Sequence, residues 1–164
     1  MKKNKNIESK NKIINAIIPV LENIRKIRAQ YKDDLKTQKN IDRMTRTLIC
    51  VSFENVLADY ISLDALKKLR QKEANELSYR SVKSTQIKGL RFEHCTPMNE
   101  IIRDIYKKKS IKSVLQNRLE TAWITKKEDD KLRKNGYRDV RPNGWEKCYK
   151  KCQIRLKKVK RNKN

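Results

Sequence analysis

Apolar residues recur every three or four positions through most of this chain. Ile17, Val20, Ile24, Ile27 and Tyr31 form such a stripe, predicting an amphipathic helix with Pro19 in its first turn or at a kink and Arg25, Lys26 and Arg28 on the opposite face. Met44, Leu48, Val51, Phe53, Val56 and Leu57 predict a second helix over about 40–60. They cover enough of its circumference to place it centrally, although "TLICVSF" within it also reads as a buried strand. Ser62 is an N-cap candidate for a third helix bearing Leu63, Leu66, Leu69, Ala74 and Leu77. Around "SVKSTQIKGL" the pattern changes to β-branched and small residues, a linker running into a strand at Leu90 to Glu93. Pro97 then opens a helix carrying Met98, Ile101, Ile102, Ile105 and Tyr106, and Ser110 caps another with Ile111, Val114, Leu115 and Leu119. "AWI" reads as a brief strand, and Thr125 with Glu128 makes a T-x-x-E capping box for a helix stopping at Gly136. After the loop "GYRDVRPNG", the stripe Trp145, Cys148, Tyr149 and Cys152 marks a last helix whose apolar side belongs to the core.

These elements add up to a mainly α domain with a small β element (α+β) around residues 88–95 and 122–125. The chain has 164 residues, enough for one core. Three glycines and three prolines argue against a turn-rich β-sandwich. Residues 1–12 and 155–164 lack a periodic stripe and read as a disordered basic arm and a basic tail flanking a domain at 13–154.

Charge sharpens the reading. Lys and Arg number 43 against 19 Asp and Glu, a formal net charge of +24, which calls for a polyanionic partner. No stretch is apolar for long enough to span a bilayer or to act as a secretory leader, so the expected location is cytoplasmic and the four cysteines are expected to be reduced.

The single histidine lies in "RFEHCTPMNE". The run Glu93, His94, Cys95, Thr96, Pro97 resembles the acidic-His-x-x-Pro opening motif of HNH-type (His-Me finger) endonucleases. That resemblance covers about one strand and its turn. It implies His94 as general base on a water and Glu93 as ligand of a divalent cation, Mg²⁺ or Mn²⁺, held against the scissile phosphate. The family's second histidine has no counterpart, so Glu128, Asp129 or Asp130 would complete the metal set, with Asp129 and Asp130 the preferred pair. Two further readings stay open for His94: a structural residue that ends a strand, or a zinc ligand with Cys95, Cys148 and Cys152.

The segment "GYRDVRPNGWEKCYKK" interleaves Tyr137, Trp145 and Tyr149 with Arg138, Arg141, Lys147, Lys150 and Lys151. Arginine forks grip phosphates and aromatic faces stack on unpaired bases, so Tyr137, Arg138 and Arg141 are expected to contact nucleic acid, extended by Arg155, Lys157 and Lys158 of the tail. Arg70, Arg80 and Lys107 to Lys109 would enlarge that surface. The expected function is binding of DNA or structured RNA. The alternatives are an HNH-like endonuclease and a phage- or plasmid-type accessory protein of a larger nucleoprotein complex.

Overall fold

A computed structural model of the chain describes residues 5–69, 78, 89–107 and 110–159. Helices α1 (Lys5–Gln30) and α2 (Leu35–Ser52) lead into strand β1 (Tyr60–Ser62) and helix α3 (Leu63–Lys68). Strand β2 (Leu90–His94) is followed by α4 (Met98–Tyr106), α5 (Ile111–Arg118) and strand β3 (Thr121–Thr125). Helices α6 (Lys126–Lys134) and α7 (Trp145–Lys151) and strand β4 (Leu156–Lys158) complete the order. The fold is mainly α with one small sheet, as the periodicity predicts.

The sheet has the order β2-β3-β1-β4. β1 runs parallel to β3 and antiparallel to β4, while β2 runs antiparallel to β3 with His94 opposite Thr121. Central β3 is buried at all five positions. Alternation sorts its side chains to two faces. Trp123 packs with Ile61, Leu90, Ala65 and Leu69 on the α3 side, whereas Ala122 and Ile124 pack with Leu132, Tyr149 and Cys152 from α6 and α7. A third apolar cluster joins α1, α2, α4 and α5 through Ile14, Leu21, Ile49, Ile101, Ile105 and Leu115.

The predicted caps form. The Ser62 side chain accepts from the Ala65 N–H at 3.0 Å, and Ser110 caps α5 through the Ser113 N–H. Thr125 and Glu128 make both halves of the capping box. Glu128 Oε2 accepts from the Thr125 N–H at 2.7 Å and from the hydroxyls of Thr125 at 2.9 Å and Ser62 at 2.7 Å, tying α6 to β1 while buried. Glu128→Ala removes all three bonds and is expected to lower stability by about 2 kcal/mol in urea unfolding. A loss within experimental error would show that the cap contributes nothing. Gly136 follows α6 with a φ of +75°, the left-handed stop that its position predicts.

Several expectations are corrected. The basic start is not wholly an arm, because α1 begins at Lys5 and Lys10 is docked, donating to the Leu119 carbonyl at 2.6 Å and pairing with Asp59 at 3.4 Å. Pro19 lies inside α1 and is exposed, as is Asn15 one turn earlier, so the carbonyl that Pro19 cannot serve can reach water. The buried face of α1 is rotated toward Ile14, Ile17 and Leu21, leaving Val20, Ile27 and Tyr31 nearly half exposed. "TLICVSF" is helical to Ser52, and Tyr60 belongs to a strand rather than to the end of a helix. Buried Thr45 takes part in the inner face of α2, while Met44 and Val51 point outward. The tail is also structured. Leu156–Lys158 forms β4, and Ile154 and Val159 are buried. Trp145 is only partly buried, its ring tilted against Tyr60 and edge-on to Tyr149. Expectations for Arg70, Ala74, Leu77, Arg80, the 81–88 linker, Lys108 and Lys109 fall outside the described residues.

Candidate nucleic-acid interface and the end of strand β2

Glu93 and His94 are consecutive in a strand, so their side chains leave opposite faces of the sheet. Glu93 turns toward the 136–144 loop, where its carboxylate accepts from Arg141 Nη2 at 2.5 Å. His94 turns toward α2, with Nε2 3.9 Å from the Cys50 sulfur and a buried Nδ1 that has no partner among the described residues. The geometry therefore does not aim a base and a metal ligand at one shared site, as the endonuclease motif would require. Burial, with the positive charges of Arg46, Arg141 and Lys10, pushes the His94 pKa down to about 4. A base with so little affinity for a proton is poorly matched to activating water near neutral pH.

The His94–Cys50 contact is not an activated nucleophile either. Burial raises the Cys50 thiol above its ordinary value. An activated Cys–His pair needs the opposite shifts, a low thiol and a high imidazole. Both groups stay neutral.

Two of the carboxylates proposed to complete a metal set are engaged elsewhere. Glu128 is the buried cap, and Asp130 pairs with Arg133 at 2.7 Å. Asp129 lies near enough to Glu93 to add to the upward push that burial exerts on the Glu93 carboxyl. Among the described residues no group of three His, Cys, Asp or Glu side chains is placed to hold a metal ion. The zinc set does not assemble around one ion either, although Cys95 and Cys152 share a buried cluster. Cys95 is fully buried, Cys148 donates to the Pro142 carbonyl and Cys152 to the Lys131 carbonyl, and burial raises all three thiols.

The loop expected to grip nucleic acid is partly internal. Arg141 is buried, and its guanidinium donates from Nε to the Tyr137 carbonyl at 3.2 Å, from Nη1 to the carbonyls of His94 and Cys95, and from Nη2 to Glu93. It is a structural clamp. Its backbone N–H donates to Glu100 at 2.7 Å, and Glu100 in turn pairs with Arg118 at 2.7 Å. The aromatic residues of this segment are likewise engaged, with Tyr149 buried, Tyr137 packed on the α6–α7 cluster and Trp145 donating to Glu120 at 3.1 Å. Arg138, Lys147, Lys150, Lys151, Arg155, Lys157 and Lys158 are exposed, so their side chains remain on the surface.

A more concentrated basic site lies elsewhere. An open groove of about 820 Å³ runs between α2 and α4 with the end of α1 beneath it. Its walls carry Arg28, Lys39, Arg43, Arg46, Arg103 and Lys107, and the only carboxylate lining it among the described residues, Asp42, is held by Arg28 at 2.8 Å. The Arg28 guanidinium also covers the Tyr106 ring at 4.4 Å, and the Tyr106 hydroxyl meets Thr45 Oγ1 at 2.6 Å. Arg46 donates to Asn99. The side chains of Lys39, Arg43, Arg103 and Lys107 are exposed with no acidic partner among the described residues. Of these groove residues, only Lys107 was expected from sequence to belong to a binding surface. A signal was present in α2, because Lys36, Lys39, Arg43 and Arg46 recur every three or four positions.

Comparison with known proteins adds no assignment: protein-family models, curated proteins and solved structures each yielded no match to the chain. Among the described residues no helix is long and apolar enough to cross a membrane.

Proposed function

We propose that this protein binds nucleic acid, with the phosphate backbone lying in the groove between α2 and α4. One observation carries the reading: among the described residues, four exposed cations without acidic partners face a groove whose single carboxylate is already neutralised by Arg28. Converging cations raise the local potential and release condensed counterions when phosphates replace them, so affinity should depend steeply on salt. The chain's net charge of +24 supplies the longer-range attraction. Neither the Glu93–His94 geometry nor the acidity of His94 favours hydrolysis alongside binding.

The test is a fluorescence anisotropy titration against a mixed-sequence DNA duplex over a range of salt concentrations. Arg43→Ala with Arg103→Ala should reduce the log–log salt slope by about 2 and weaken binding about tenfold or more at moderate salt. Both residues are exposed, so circular dichroism and melting should change little. Lys147→Ala with Lys150→Ala, on the exposed side of α7, serves as an equal-charge control. Equal losses from the two pairs would assign binding to diffuse charge and reject the groove.

A further inference from the structure

Resting on that reading, we infer that the nucleic acid is B-form duplex DNA, with α2 laid against the major groove while the α2–α4 groove grips the phosphates of one strand. α2 has a long outward side. From Lys36 to Val51 it extends roughly 22 Å, and at 100° per residue its exposed positions fall within an arc of about 160°. One edge of that arc, beside the groove, holds Lys36, Lys39, Arg43 and Arg46. Next come Asn40 and Thr47, both exposed, and the far edge carries Met44 and Val51 at 63% and 59% exposure. No carboxylate interrupts the arc, since Asp42 lies beyond its Arg46 edge, on the groove wall, where Arg28 holds it.

This order of chemistries matches what a duplex presents across its major groove. Cations meet the phosphate rail, Asn and Arg can address base edges, and apolar groups can meet thymine methyls. A single strand fits less well, because its binders offer aromatic faces for successive bases to stack on. Among the described residues Tyr106 is the only aromatic lining the groove, and its ring is covered by Arg28. Tyr31 is exposed on the α1–α2 turn but does not line the groove. An A-form RNA duplex is also unsuited, since its major groove is too deep and narrow for side chains to read.

Two measurements on the intact protein test this. The first compares affinity, at one moderate salt concentration, for a mixed-sequence DNA duplex, the RNA duplex of the same sequence and the single DNA strand. The DNA duplex should bind about tenfold more tightly than either. The second fills one groove at a time. A duplex carrying glucosylated 5-hydroxymethylcytosine, whose sugar occupies the major groove, should lose about tenfold in affinity, while a duplex preloaded with netropsin in its minor groove should bind unchanged. Equal or tighter binding of RNA duplex or single strand, or competition by netropsin alone, would overturn the inference and leave the phosphate groove standing. Failure to bind any of the three nucleic acids would overturn both.

Discussion

Arg141→Ala is expected to destabilise this protein by about 3 to 5 kcal/mol, the range seen when one partner of a buried ion pair is deleted. The guanidinium spreads its donors over the carbonyls of Tyr137, His94 and Cys95 and the carboxylate of Glu93, all at the junction of β2 with the 136–144 loop. Truncation removes those donors together and leaves Glu93 without its counterion. Glu93 can escape part of the cost by taking up a proton, because burial already pushes its pKa up. The carbonyls have no such escape. Arg141→Lys should recover only part of the loss, since an ammonium cannot reproduce a planar fork that serves several acceptors. Urea unfolding of the three proteins measures this, with the m-value expected to stay constant while the midpoint falls. A melting temperature unchanged by Arg141→Ala, with nucleic-acid affinity reduced instead, would restore Arg141 to the binding surface where its sequence context places it.

That reversal shows what this sequence could and could not reveal. Local rules held wherever the information was local. The Ser62 cap, the Thr125–Glu128 box and the Gly136 stop each depend on residues within a few positions of one another. The helix that Pro97 precedes was equally readable from its apolar spacing. Failures arose where distant segments decide. Arg141 lies in a polar, aromatic-rich loop that looks exposed, and only the fold brings it to Glu93, 48 positions away. On α1 two neighbouring apolar stripes compete, and packing against α2, α4 and α5 selects the one containing Ile14 and Leu21. Leu156–Lys158 was hidden by its lysines, although Ile154 and Leu156 alternate with basic residues as an edge strand's side chains should.

The same long-range effect governs the groove. Its cations come from α1, α2 and α4, and in sequence the α4 contribution, Arg103 and Lys107, cannot be distinguished from an ordinary solvated helix face. Only α2 carried a readable cue, four cations on one side. Folding supplies the remainder by placing α4 beside that stripe and by using Arg28 to withdraw Asp42, a carboxylate that would otherwise oppose phosphate.

His94 should make the protein progressively less stable as pH falls from about 6.5 toward 4, by an amount on the order of 3 kcal/mol at most. The sign follows from the depressed folded-state value of about 4 against an ordinary value of 6.5. Above 6.5 the imidazole is neutral in both folded and unfolded chains and its effect is constant. Between the two values the unfolded chain binds a proton that the folded chain refuses, so proton binding favours unfolding. Below 4 both forms are protonated and the loss stops growing. Carboxylates also begin to titrate in this interval, so the quantity to measure is the difference in unfolding free energy between wild type and His94→Phe at each pH. That difference should move in the mutant's favour by up to about 3 kcal/mol on acidification. Because the chain has one histidine, its ring proton resonance gives the pKa directly, without assignment. A folded-state value near 6.5 would mean that the ring is solvated, and it would return His94 to contention as a base working near neutral pH. A value near 4 would identify it as a neutral group enclosed between β2 and α2, whose principal effect is on stability in acid.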